Sequence, residues 1–278
     1  MIKVGVKMPY RMGHPGEYLA DARALEAAGV DSLWVSEGMI RPADAERPYP
    51  PSLDVWTLLA ALAAVTHRVR LGTSVSVVAQ WPPVLFAVTI TTLDHLSQGR
   101  MVVGAGVGWE RVQFEANGLG FEDRGRRTDE FLRVVRQLWS GDQASFEGEF
   151  YRVPPIRLAP PFRPGGPHVL VGGFSEPGYR RAARMGDGFI HGGGRPEKVG
   201  SVLSRVLELR EAAGRSGDFE IWVQVRSPDG RAAWKETLRD YEAAGATGLI
   251  VPFDPRLLDL LRNPDEEDDR SDLLIAQG

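Results

Sequence analysis

The sequence contains no cysteine. Disulfides, thiolate nucleophiles and Cys-ligated metals are therefore excluded, while the compartment stays open. It has only five histidines, and none is spaced with Asp or Glu in a way that reads as a metal site, so no metal is expected. There is no uninterrupted apolar run near the roughly 20 residues that span a bilayer, and no membrane partner is expected. There is no excess of positive charge either: the formal net charge is −4, which gives no support for a nucleic-acid or anionic-membrane partner. The opening residues, Met1-Ile2-Lys3-Val4-Gly5-Val6, read as a first strand rather than a signal peptide, which makes a cytoplasmic location the expectation. What remains is a chain of 278 residues, 43% hydrophobic and 25% charged, of a size for one large α/β domain or two small ones.

The chain repeats a helix–strand phrase. Glu26-Ala27-Ala28-Gly29-Val30-Asp31-Ser32-Leu33-Trp34-Val35 resembles Glu242-Ala243-Ala244-Gly245-Ala246-Thr247-Gly248-Leu249-Ile250-Val251, and Arg181 to Ile190 is a looser third copy. Each copy reads as a helix end, a C-cap glycine and a short apolar strand. Strands are expected over 2–8, 32–36, 69–76, 101–105, 168–172, 187–191, 219–225 and 248–252. Helices are expected over 16–28, 53–66, 82–96, 127–140, 177–185, 196–213, 230–244 and 255–262. Eight alternating units predict a single (β/α)8 TIM barrel, with a doubly wound open sheet as the competitor. Residues 37–52 are proline-rich and read as a long loop. Residues 143–167 follow the fourth unit and read as an inserted hairpin and strap. The tail, 263–278, is acidic and expected to be solvated.

In a barrel the chemistry lies at the C-terminal strand ends. Those ends carry Pro9-Tyr10-Arg11, Ser36-Glu37, Ser74-Val75-Ser76, Gly106-Val107-Gly108-Trp109, Gly172-Gly173-Phe174-Ser175, His191, Gln224 to Arg226 and Pro252 to Asp254. Glycines at 104, 106 and 108 leave room for a flat ring or a phosphate to approach the backbone. Their spacing is not the dinucleotide fingerprint, whose third glycine would fall on Trp109. Gly172-Gly173 precedes a helix near Pro177, with Ser175 as its N-cap. This suits a phosphate on the helix N-terminus or, equally simply, a tight turn. His191 could titrate against a substrate or be capped among Gly192-Gly193-Gly194. Arg226 could clamp an anion or sit on the surface. Arg100, before its strand, belongs to the stability end. A rim poor in paired acids and bases, and rich in glycine, hydroxyls and aromatics, suits a large planar cofactor.

With these residues in view, the chain resembles the luciferase-like monooxygenase superfamily, particularly its deazaflavin (coenzyme F420) branch. The landmarks are Leu71-Gly72-Thr73-Ser74-Val75, Ser97-Gln98-Gly99-Arg100, Gly104 to Trp109, Arg127 to Trp139, Gly148-Glu149-Phe150-Tyr151, Val171-Gly172-Gly173 and Ala183 to Gly188. The resemblance implies a barrel binding F420, or FMN as second choice, at the strand C-termini, and a cis peptide at Ser74–Val75. It implies cofactor contacts from Glu37, Ser74, Val75, Gly106, Gly108, Trp109, Gly172, Gly173, Ser175 and Glu176, with the 143–167 segment beside the pocket. It also implies a homodimer. Sugar-phosphate dehydrogenases of this branch place a His and a Glu where this chain has Gly38 and Trp109. Glucose 6-phosphate oxidation is therefore disfavoured, and a small, rather apolar substrate is expected, with His191 or Tyr10 as proton donor. Two alternatives stay open: an FMN-dependent two-component monooxygenase and a flavin-binding protein without turnover.

Overall fold

A computed structural model of the chain describes residues 2–9, 14–38, 40, 43, 53–227 and 230–262. The strands are β1 (Lys3–Lys7), β2 (Ser32–Val35), β3 (Arg70–Thr73), β4 (Ser76–Val77), β5 (Met101–Gly106), β6 (Ala144–Glu147), β7 (Arg152–Ile156), β8 (His168–Gly172), β9 (Gly188–His191), β10 (Glu220–Gln224) and β11 (Gly248–Pro252). The helices are α1 (Pro15–Ala27), α2 (Val55–Val65), α3 (Pro83–Leu96), α4 (Arg111–Glu115), α5 (Arg124–Leu138), α6 (Glu176–Met185), α7 (Pro196–Ala212), α8 (Gly230–Ala243) and α9 (Pro255–Arg262).

Parallel strands run in the order β3-β2-β1-β11-β10-β9-β8-β5, and β5 pairs back onto β3, closing the barrel. The expected barrel is what forms. The strand expected over 69–76 is two strands on either side of the cis Ser74–Val75 peptide, with β4 resuming against β5 in the register Ser76↔Ala105. Two copies of the repeated phrase end as expected, with Gly29 at φ +84° and Gly245 at φ +96°. The third does not: Gly186 is extended, at φ −82°.

The lumen is solid beneath its C-terminal end. Trp34, Val102, Leu170, Ile190, Trp222 and Ile250 form one buried cluster, with the Trp34 and Trp222 rings 5.1 Å apart and edge-on. The Trp34 ring lies where Cβ atoms on Gly5 and Gly72 would be, so those positions take no side chain. Outside the strands, the main core fills the space beneath the helices.

The N-terminal end of the barrel is fastened by charge. Glu26 accepts from the backbone N–H groups of His67, Arg68 and Val69 at 2.8, 2.7 and 3.0 Å, and these bonds hold its carboxyl below the usual range against the effect of burial. Arg100 donates to the carbonyls of Ser97, Ala63, Thr66 and Val69 and to the Thr66 hydroxyl, the structural role its position suggested. Arg70 meets Glu220 at 2.7 Å, with His168 Nδ1 3.2 Å from the same carboxylate.

The inserted segment begins with the antiparallel β6–β7 hairpin. Glu130 on α5 accepts from the N–H groups of Glu149, Phe150 and Tyr151 in its turn. The acidic tail lies outside the described residues. Among those residues, no helix is long and apolar enough to cross a membrane.

Candidate active site

The C-terminal strand ends enclose a cavity of about 920 Å³, near the top of the range for small-molecule sites. Strand alternation determines what faces it. In β1, Lys7 pairs with Trp34 and Pro252 in register and so points into the lumen, one layer above the tryptophans. Ser36, Ser74, Gly106, Gly172, Gly192 and Gln224 complete that layer, and all line the cavity.

Val75 forms a shelf at one side. A Cβ on Gly106 would lie 2.6 Å from Val75 Cγ2, and one on Gly172 would lie 2.9 Å from Cγ1. These glycines therefore make room first for a protein side chain. The same holds for Gly104, whose missing Cβ leaves space for the Thr73 carbonyl, and for Gly108 (φ +75°), packed on Val77 and Phe114. The run thus seats the Ser74–Val75 bulge, while Gly106 and Gly108 still line the cavity, and Val75 presents an apolar surface beside them. Beside it, Ser74 Oγ is buried with no hydrogen-bond partner among the described residues.

Glu37 is the brace of this bulge. Its carboxylate accepts from the Val77 N–H, from Ser76 Oγ at 3.2 Å and from Trp81 Nε1 at 3.1 Å. Burial pushes its pKa up, and the three donors oppose that. Glu37 lines the cavity, but its charge is directed at residues 76–81.

Helix N-termini supply the opposite chemistry. Gly173, Ser175, Pro177 and Gly178 line the cavity at the start of α6. Ser175 is the N-cap, and its side chain makes no capping bond. A Cβ on Gly173 would come 3.1 Å from Gly178 Cα, so this loop lies directly on the helix. Arg124 and Gly125, at the start of α5, and Arg181 line the same wall. Arg181 is held by Asp129 and by the Gly125 carbonyl at 3.0 Å. Sequence reading missed these residues because they sit inside helices rather than at strand ends.

Other expected site residues fall elsewhere. His191 does not line the cavity. Ile190 points inward, so its neighbour points out, packed against Phe174 and Phe189. There His191 Nδ1 faces the Gly193 N–H at 3.1 Å, and burial depresses its pKa. The side chain of Glu176 is also turned from the cavity, toward Arg180 at 3.1 Å and Arg205 at 2.8 Å. Trp109 stands at the mouth, 59% exposed, with Gly38 also on the lining. Arg226 is exposed and off the lining. None of residues 143–167 reaches the cavity, so the segment expected beside the pocket packs on α5 instead. Tyr10 lies outside the described residues.

Residues 2–269 match the family model described as "Luciferase-like monooxygenase". The chain belongs to this family. A protein of Mycobacterium tuberculosis is 36% identical over 250 residues, covering 85% of this chain and 84% of that one. An F420-dependent glucose-6-phosphate dehydrogenase of Kineococcus radiotolerans is 33% identical, covering 81% of this chain and 67% of its own. Among solved structures, the monooxygenase RslO1 from Streptomyces bottropensis is similar at a TM-score of 0.70 and 27% identity, covering 88% of this chain and 78% of its own. An F420-dependent secondary alcohol dehydrogenase superposes at a TM-score of 0.80, covering 94% and 97%, with 17% identity, and bears on the fold alone. The chain is thus a luciferase-like TIM-barrel oxidoreductase with F420-dependent relatives.

Proposed function

We propose that this luciferase-like barrel is an F420-dependent oxidoreductase acting on a small organic substrate with a largely apolar body. The observation that carries the reading is the pairing of the Val75 shelf, beside the unpartnered Ser74 hydroxyl, with the open N-terminus of α6. A planar ring fits the first and a phosphate the second. The residues present fit such a group: Ser74, Val75, Gly106 and Gly172 would hold the ring, and Gly173 and Ser175 the phosphate. When bound, a deazaflavin supplies two-electron hydride chemistry.

The chain's own residues do the rest. Glu37 fixes the bulge that carries Val75. Trp109 and Phe174 narrow the mouth and limit water, which strengthens every polar contact inside. At Gly38 and Trp109 no side chain can take a proton from an alcohol, a step for which a positioned base contributes about 10²–10⁴-fold. This disfavours glucose 6-phosphate as substrate although a 33% identical relative is named for it.

Titrating the apo-protein with F420 and with FMN tests the reading. The expected result is tighter binding of F420, and turnover with its reduced form that is indifferent to oxygen. Preference for FMN with oxygen-dependent turnover would replace it with the monooxygenase reading. Binding without turnover on any acceptor would favour a carrier.

A further inference from the structure

Among the described residues, Lys7 is the one lysine on the cavity lining, and the sequence did not mark it because the strand-end segment there begins two residues later, at Pro9. It points inward by register with Trp34 and Pro252. Its ammonium has no carboxylate, carbonyl or hydroxyl partner among the described residues, although burial depresses its pKa. A half-buried cation without a counter-charge is costly, because its desolvation is offset by no described residue. Such a group persists where a ligand supplies the missing acceptor.

Its place in the ring of strands indicates which ligand. The Val75 shelf lies over β5 and β8, against Gly106 and Gly172. Strand order puts β1 opposite β8 and β11 opposite β5 across the lumen, with β10 next to β11. Lys7 therefore faces the apolar shelf across the lumen, and Gln224, two strands away, stands to one side of it on the same lining. The Gln224 amide likewise has no partner among the described residues. A planar group on the shelf leaves the space in front of Lys7 and Gln224 for the second molecule.

We infer that Lys7, assisted by Gln224, is the substrate-anchoring residue of this pocket, and that the substrate presents it with a carbonyl or carboxylate oxygen on an otherwise apolar body. This rests on the proposed cofactor placement and sharpens the substrate expected above. Such a substrate is apolar where it meets Trp109 and Phe174 and carries an oxygen acceptor at its deep end. An ammonium at that oxygen also stabilises negative charge developing there, whether the group is anionic from the start or a carbonyl being polarised.

Benzoate and benzyl alcohol are the probes: the same ring, with and without the carboxylate. By calorimetry, wild-type protein is expected to bind benzoate about tenfold or more tightly than benzyl alcohol, the effect of roughly one charge-assisted hydrogen bond. Lys7→Met should erase that preference, leave benzyl alcohol unchanged and leave F420 affinity unchanged. Benzoate should also bind the F420-loaded protein.

Absence of a benzoate preference in wild type overturns the inference, as does a preference that survives Lys7→Met. Loss of F420 affinity in Lys7→Met, or displacement of benzoate by F420, would assign Lys7 to the cofactor and also overturn it. Benzoate preference in a protein that binds neither F420 nor FMN would sink the proposed cofactor and leave the anchoring role standing.

Discussion

Replacing Glu37 by Gln isolates one hydrogen-bond mismatch. The carboxylate satisfies three donors: the Val77 N–H, Ser76 Oγ and Trp81 Nε1. A glutamine has one acceptor oxygen. With that oxygen on Val77 and Ser76, its NH₂ faces the Trp81 N–H, donor against donor. Leaving that part-buried indole N–H unpaired costs about 1–2 kcal/mol. Exchanging charge-assisted bonds for neutral ones costs about another 1 kcal/mol. Relief of the buried charge, whose effect is visible in the raised pKa of Glu37, offsets part of this. The expected net loss is about 1–3 kcal/mol at neutral pH.

A double-mutant cycle with Trp81→Phe separates the terms. Without the indole N–H, Glu37→Gln no longer creates a mismatch, and its cost should fall by about 1–2 kcal/mol. Urea unfolding of the four proteins, followed by far-UV circular dichroism, measures this without relying on tryptophan emission. Equal costs in the two backgrounds, within about 0.5 kcal/mol, would refute the argument.

Other outcomes follow from the same geometry. Gly173→Val places new atoms against Gly178, 3.1 Å from its Cα; it should abolish F420 binding by equilibrium dialysis while the circular dichroism spectrum stays native. Arg100→Ala removes donors to four backbone carbonyls at the far end of the barrel and should cost about 3 kcal/mol in urea unfolding with cofactor affinity unchanged. Burial works against the charge of Glu220, yet bonds from His168, Arg70 and Trp222 Nε1 hold its pKa far below the usual carboxylate range. Its stabilisation is therefore present above the unfolded-state value of about 4.3 and is lost as pH falls below it. Glu220→Gln should be about 3 kcal/mol less stable than wild type at about pH 7, and the gap should narrow without closing at about pH 2, because the folded carboxyl is still largely ionised there, as denaturant titrations at the two pH values would show.

The barrel was legible because the helix–glycine–strand phrase recurs, and each recurrence fits one unit of the closed sheet. The division of β3 from β4 was not legible from periodicity, since Thr73-Ser74-Val75-Ser76 alternates like any strand. Only resemblance indicated the cis bond. The site was half legible. Strand ends located Ser74, Gly106, Gly172 and Gln224, all on the lining, but judging the direction of a side chain requires counting from a residue known to face inward. Counted from Trp34 and Ile190, Lys7 falls inside and His191 outside. Nothing in the sequence sets Glu26 or Glu130 apart from other helical glutamates. Their work, collecting the N–H groups of turns distant in sequence, exists only once the helices have packed.

The tryptophan plug beneath the cavity has a kinetic corollary. With Trp34 and Trp222 closing the lumen below, nothing enters through the barrel floor, and what occupies the pocket arrives and leaves at the C-terminal rim. Two ligands admitted from the same end of the barrel do not come and go independently. Whichever component reaches furthest under the rim arrives first and departs last, so the pocket's shape argues for a compulsory sequence of arrivals. In such a sequence the residence time of the outer molecule governs how soon the inner one can be exchanged.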